Sequence, residues 1–141
     1  MEESTAAHRA RAMRRITFRL PSTLQQLLHE SFVSTYGARG KSRWVREALQ
    51  DMFENDRELS WVGRGEALVD ENDAAEMFSI SSELDDKLTV AATIVRRQDP
   101  LIEGIQSKIV RGAIRRKLYR EGQSLPWPRK STSAKRASEK K

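Results

Sequence analysis

The chain has 141 residues, enough for one compact domain with modest tails, and 38% of them are hydrophobic against 33% charged. Lys and Arg number 26 against 20 Asp and Glu, for a net charge of +6, and cysteine is absent. These values exclude disulfides, thiol nucleophiles and Cys-based zinc sites, and the longest uncharged run in a periodic segment, Leu88–Val95, is 8 residues where a membrane-spanning helix needs roughly 20.

The positive charge is concentrated at the ends. Residues 1–15 carry four Arg against two Glu, residues 122–141 carry six Lys or Arg against one Glu, and 16–121 is close to neutral. Basic ends on a neutral body suit a polyanionic partner, nucleic acid before an anionic membrane. The Met-Glu-Glu opening lacks the apolar stretch of a secretory leader, so a cytoplasmic location is expected.

In chain order, a basic arm (1–14) leads into Arg15-Ile16-Thr17-Phe18-Arg19-Leu20, whose strict alternation predicts a half-exposed strand closed by Pro21. Ser22 and Gln25 have capping-box spacing, and Leu24, Leu27, Leu28 and Phe32 form one helical stripe that ends at Gly37 and Gly40. Ser42 is expected to cap a second helix striped by Trp44, Val45, Ala48, Leu49, Met52 and Phe53. Residues 54–75 form an acidic linker, expected to face away from any phosphate surface, with Trp61, Leu68 and Val69 able to tack it to the body.

The same order then recurs over 76–121. Met77-Phe78-Ser79-Ile80 repeats the strand, and Ser82 with Asp85 repeats the cap. Leu84, Leu88, Ala91, Ala92 and Val95 form the next stripe, which stops near Asp99-Pro100. Ser107 opens a last helix with Ile109, Val110, Ala113, Ile114 and Leu118 inward. Ser42-Arg-Trp-Val-Arg-Glu-Ala-Leu49 and Ser107-Lys-Ile-Val-Arg-Gly-Ala-Ile114 share Ser, Val, Arg and Ala at an offset of 65, whereas the strands match at 60, which places an insertion around 99–106. Arg111, Arg115, Arg116, Lys117 and Arg120 read as a solvated face or a partner surface on the last helix. Residues 122–141 lose periodicity and read as a disordered basic tail, in which Pro126-Trp127-Pro128 is either loose chain or a short docking element.

A lone short strand leaves its backbone groups unpaired, so the two strands are expected to zip into one antiparallel ribbon over four helices. Parity then points Ile16, Phe18, Leu20, Phe78 and Ile80 inward and Arg15, Thr17, Arg19, Met77 and Ser79 outward, with Glu76 on the inward parity at a rim. The expected fold class is mainly α with this intramolecular two-stranded ribbon.

Strand, capped helix, Gly-containing turn and Ser-opened second helix, written twice, resemble the ribbon-helix-helix superfamily of the MetJ and Arc repressors. Two units in one chain resemble the layout of TraY-type accessory proteins of conjugative relaxosomes. The resemblance implies a double-stranded DNA partner whose major groove receives the ribbon, with Arg15, Thr17, Arg19, Met77 and Ser79 at base edges. It also implies that the second-helix starts grip phosphates through Ser42, Arg43, Ser107 and Lys108, with Arg14 on the flanking backbone, an arrangement that suits the free N–H groups and positive dipole end of a helix.

A role at a plasmid transfer origin, with a relaxase or other relaxosome proteins as partners, is expected alongside transcriptional regulation of conjugation. Self-association on adjacent DNA sites is also expected. Plasmid partition and an antitoxin-type interaction module are the alternatives. His8 and His29 are isolated, and there is no Gly-rich phosphate loop, nucleophile elbow or paired-acid site, so no enzymatic activity, metal or cofactor is expected.

Overall fold

The computed structural model describes residues 13–66, 71–123 and 125. The chain is mainly helical: β1 (Met13–Leu20), α1 (Ser22–Tyr36), α2 (Lys41–Asn55), β2 (Ala74–Ser81), α3 (Ser82–Gln98) and α4 (Ile105–Arg120). Both strands run longer than the alternating cores suggested, and the second unit begins at Ala74, inside the stretch assigned to the linker. Strand β1 pairs antiparallel with β2, and Thr17 stands opposite Met77. These two are also equivalent residues of the repeat, so the ribbon is symmetric about their pair: Arg15 faces Ser79 and Arg19 faces Ala75.

Alternation works as expected. Ile16, Phe18, Leu20, Phe78 and Ile80 are buried, and the Phe18 and Phe78 rings meet edge to face at 5.8 Å. Beneath them lie the stripes of all four helices, among them Leu24, Leu28, Trp44, Leu49, Leu88, Ile109 and Ile114. Of the helix pairs, α2 and α4 share the most extensive contact, which places the second helix of each unit at the centre. Glu76 does sit on the inward parity, opposite Phe18. It is stabilised there by Lys41 Nζ and Gln25 Nε2, each 2.6 Å from a carboxylate oxygen. Burial pushes this carboxyl up, and the bonds to Lys41 and Gln25 outweigh that and hold it below its ordinary value.

The helix starts differ from the sequence-based expectation. Helix α1 is capped by Pro21 without a side-chain bond, and Gln25 reaches Glu76 rather than closing a capping box with Ser22. The Ser22 N–H instead donates to Asp73 Oδ1 at 2.9 Å, so the chain leading into β2 caps the helix of the other unit. In α3 the cap is Ser81, one residue before the expected Ser82, and it accepts from the Leu84 N–H at 3.2 Å. Asp85 is thereby released to bind Arg14.

The linker is also more than a connector. Leu59 and Trp61 are buried in the core, and the Asp56 carboxylate closes the turn by accepting from Ser60 and Trp61. Leu68 and Val69 lie outside the described residues, as do most of the basic arm and tail and Pro126-Trp127-Pro128. Leu125, at the end of the described chain, packs against the core. Among the described residues no helix is long and apolar enough to cross a membrane.

Candidate nucleic-acid interface

The outward ribbon face presents Arg15, Thr17 and Arg19 from β1 beside Ala75, Met77 and Ser79 from β2. Met77 is 44% exposed, so the register has not slipped to bury it. Ala75 belongs to this face although the sequence reading did not include it; extending strict alternation two residues upstream of Met77 would have found it. The arginines stand on one strand and only uncharged side chains on the other, so the face is chemically lopsided. Arg15 has no hydrogen-bond or ion-pair partner among the described residues, whereas Arg19 Nε donates to the Asn72 carbonyl at 3.2 Å.

Ser42 and Ser107 do not cap helices. The N-caps are Gly40 and Gly104, neither bonds by a side chain, and Gly104 takes the left-handed conformation at φ 60°. Since the helices begin at Lys41 and Ile105, the amides without an acceptor four residues back belong to residues 41–43 and 105–107. Trp44 and Lys108 already donate to the carbonyls of Gly40 and Gly104, so Lys108 offers charge but no free amide.

The seryl hydroxyls face the strands instead. Ser42 Oγ accepts the Ser79 N–H at 2.9 Å, and Ser107 Oγ accepts the Arg19 N–H at 3.1 Å. One turn later in each helix an arginine takes the matching carbonyl: Arg46 Nη1 donates to Ser79 O at 2.9 Å, and Arg111 Nη1 to Arg19 O at 2.7 Å. The Ser-x-x-x-Arg element shared by the two repeats is therefore a clamp on the outer edge of a strand. Each clamp satisfies backbone groups that a two-stranded ribbon leaves open, and it holds a helix N-terminus beside the outward face.

Arg43 is exposed at the α2 start, 4.0 Å over the Tyr36 ring and 3.3 Å from Glu47 Oε2. Hydrogen bonding to Glu47 in turn raises the Tyr36 hydroxyl above its ordinary pKa. Lys108 is half-buried, and its ammonium has no hydrogen-bond or ion-pair partner among the described residues. Arg14, expected on the flanking DNA backbone, points away from the outward face and forms a bidentate pair with Asp85, both bonds 2.9 Å, which raises its pKa.

Three arginines of α4 overturn the expectation of a solvated face, while Arg120 is exposed as expected. Arg111, Arg115 and Arg116 are buried, and each meets a carboxylate. Glu66 of the linker receives Arg111 Nε at 2.5 Å, Arg111 Nη2 at 2.8 Å and Arg115 Nη1 at 2.6 Å, while Arg116 takes Asp51 at 2.6 Å. Burial pushes the Glu66 carboxyl up, but Arg111 and then Arg115 outweigh it and hold it below its ordinary value. Burial also lowers Arg115, against the pull of Glu66. The linker acid lies under the ribbon end, and its charge is consumed there.

Among the described residues no three His, Asp or Glu side chains gather as a metal site. Compared with known proteins, the chain matches no protein-family model, no curated protein and no solved structure.

Proposed function

We propose that the chain is a tandem ribbon-helix-helix protein that binds duplex DNA, laying its ribbon in the major groove. One observation carries this reading: an exposed strand face with two arginines is flanked on both edges by a helix N-terminus, each held there by the same Ser-x-x-x-Arg clamp. A two-stranded ribbon fits the major groove, Arg is the side chain that takes guanine O6 and N7 together, and free helix amides suit the phosphates on either side. Arg19 gives up one charge-assisted hydrogen bond to a carbonyl to reach a base, a loss of about 1.5–3 kcal/mol that a bidentate guanine contact of the same order offsets.

Because β1 and β2 present different side chains, the recognised sequence is asymmetric about the Thr17–Met77 pair. The setting proposed is a plasmid transfer origin, as a relaxosome accessory protein or a regulator of conjugation genes; both roles use this one binding mode. Selection from random duplexes tests the reading. Enrichment of one non-palindromic sequence is expected, and enrichment of none, with binding that ignores sequence, would overturn it.

A further inference from the structure

The two clamp arginines are equivalent in sequence and in their strand bond, yet their surroundings differ. Arg111 has its Nε and Nη2 on Glu66, its Nη1 on the strand carbonyl, and a side chain 4% exposed. Arg46 makes the corresponding strand bond, and its remaining donors have no partner among the described residues. It is half-buried and lines an open cleft of about 440 Å³ together with Arg43 and Lys87. Among the described residues no carboxylate pairs with Arg46 as Glu66 pairs with Arg111.

We propose that Arg46 is a DNA-backbone contact and that a phosphate takes the place at Arg46 that the Glu66 carboxylate takes at Arg111. This rests on the DNA reading above and assigns a residue that neither the ribbon face nor the helix starts include. Unit two displays the required geometry: a guanidinium fixed by its strand bond turns Nε and Nη2 together toward a two-oxygen anion, and that planar fork matches carboxylate and phosphate alike.

Position favours a phosphate over a free anion. The Ser79 carbonyl holds Arg46 at the ribbon edge, beside the start of α2 and next to an outward-facing side chain, where the flanking backbone of a groove-bound duplex passes. The cleft also contains Glu47 and Glu83. Glu47 is already engaged by Arg43 and Tyr36, so Arg46 and Lys87 stand against the single carboxylate of Glu83 and the cleft keeps a net positive charge. Unit two, whose clamp is neutralised internally, grips its phosphates without this contact, so the two ends hold DNA unequally and orient the chain on its site.

The test is the salt dependence of binding to the selected duplex and to a random one. Arg46→Gln is expected to weaken both alike and lower the salt slope by about one, while Arg46→Lys, which keeps the charge, retains the slope. If Arg46 served only the strand bond, Gln and Lys variants would behave alike, and that result would overturn the assignment. In the unsubstituted protein an arginine-specific dicarbonyl reagent is expected to modify Arg46, with protection by duplex, and to spare buried Arg111. Modification of Arg46 unaffected by duplex would overturn the assignment even if the variants failed to fold. A slope change accompanied by loss of a second bound chain, read by sedimentation, would assign an acidic side chain of that copy instead. If the unsubstituted chain binds no duplex, the DNA reading itself falls; if it binds and Arg46→Gln keeps its slope, only Arg46 is reassigned.

Discussion

Gly112 of α4 lies against the backbone of Trp61: a Cβ built on it would stand 2.9 Å from the Trp61 carbonyl oxygen and 3.1 Å from Val62 Cα. The linker thus crosses α4 where the helix has no side chain to hold it off. Its equivalent in the first unit is Glu47, so only one unit admits this close approach. Gly→Ala in an open helix stabilises by up to about 1 kcal/mol. Here the contact is with backbone, which cannot swing aside, so Gly112→Ala is expected to destabilise by about 1–3 kcal/mol in urea unfolding. A rise in stability would show that the linker does not rest there.

Glu66→Gln is expected to be among the most damaging single substitutions, at about 3–5 kcal/mol, because it leaves Arg111 and Arg115 buried without a counter-charge. The linkage has a definite sign. Glu66, Glu76 and Asp51 all titrate below their ordinary values in the folded chain. Their stabilisation is therefore complete above the unfolded carboxylate range and disappears as pH falls through the lowered folded values. Unfolding free energy should be flat from pH 7 to about 5 and drop below that. Glu66→Gln should flatten the drop.

Ser42→Ala and Ser107→Ala separate a strand clamp from a helix cap. Each removes the acceptor of one strand amide, with a loss of about 1 kcal/mol. Hydrogen exchange should quicken selectively at the Ser79 amide in the first variant and at Arg19 in the second. Faster exchange confined to the first turns of α2 or α4 would contradict the clamp.

Arg15→Ala with Arg19→Ala should abolish discrimination between selected and random duplex while weaker, salt-sensitive binding survives. Competition titrations would show it, and unchanged discrimination would remove the ribbon face from the groove.

Truncation after Pro128 removes six Lys or Arg and keeps Leu125, which packs on the core. It should lower affinity for all duplexes alike and reduce the salt slope. A loss confined to the selected duplex would assign the tail a part in sequence reading.

Period-two alternation in Arg15–Leu20 and Met77–Ile80, the 3.6-residue stripes and the repeated Ser-x-x-Val-Arg segment determined the elements, their antiparallel pairing and which ribbon residues face outward. Those features are local or periodic, and a buried stripe or pleat is written into one dimension. What Ser42 and Arg46 bind was decided by tertiary structure alone, because their partners at Ser79 lie 37 and 33 residues away. The same holds for Asp73 on Ser22 and for Glu66, 45 residues from the arginine it neutralises. A side-chain hydrogen bond has no period, and a buried ion pair leaves in the sequence only an acid and a base that look like any solvated charges. In α4 the linker accounts for Arg111, Arg115 and Gly112, which it crosses, and Asp51 of α2 accounts for Arg116.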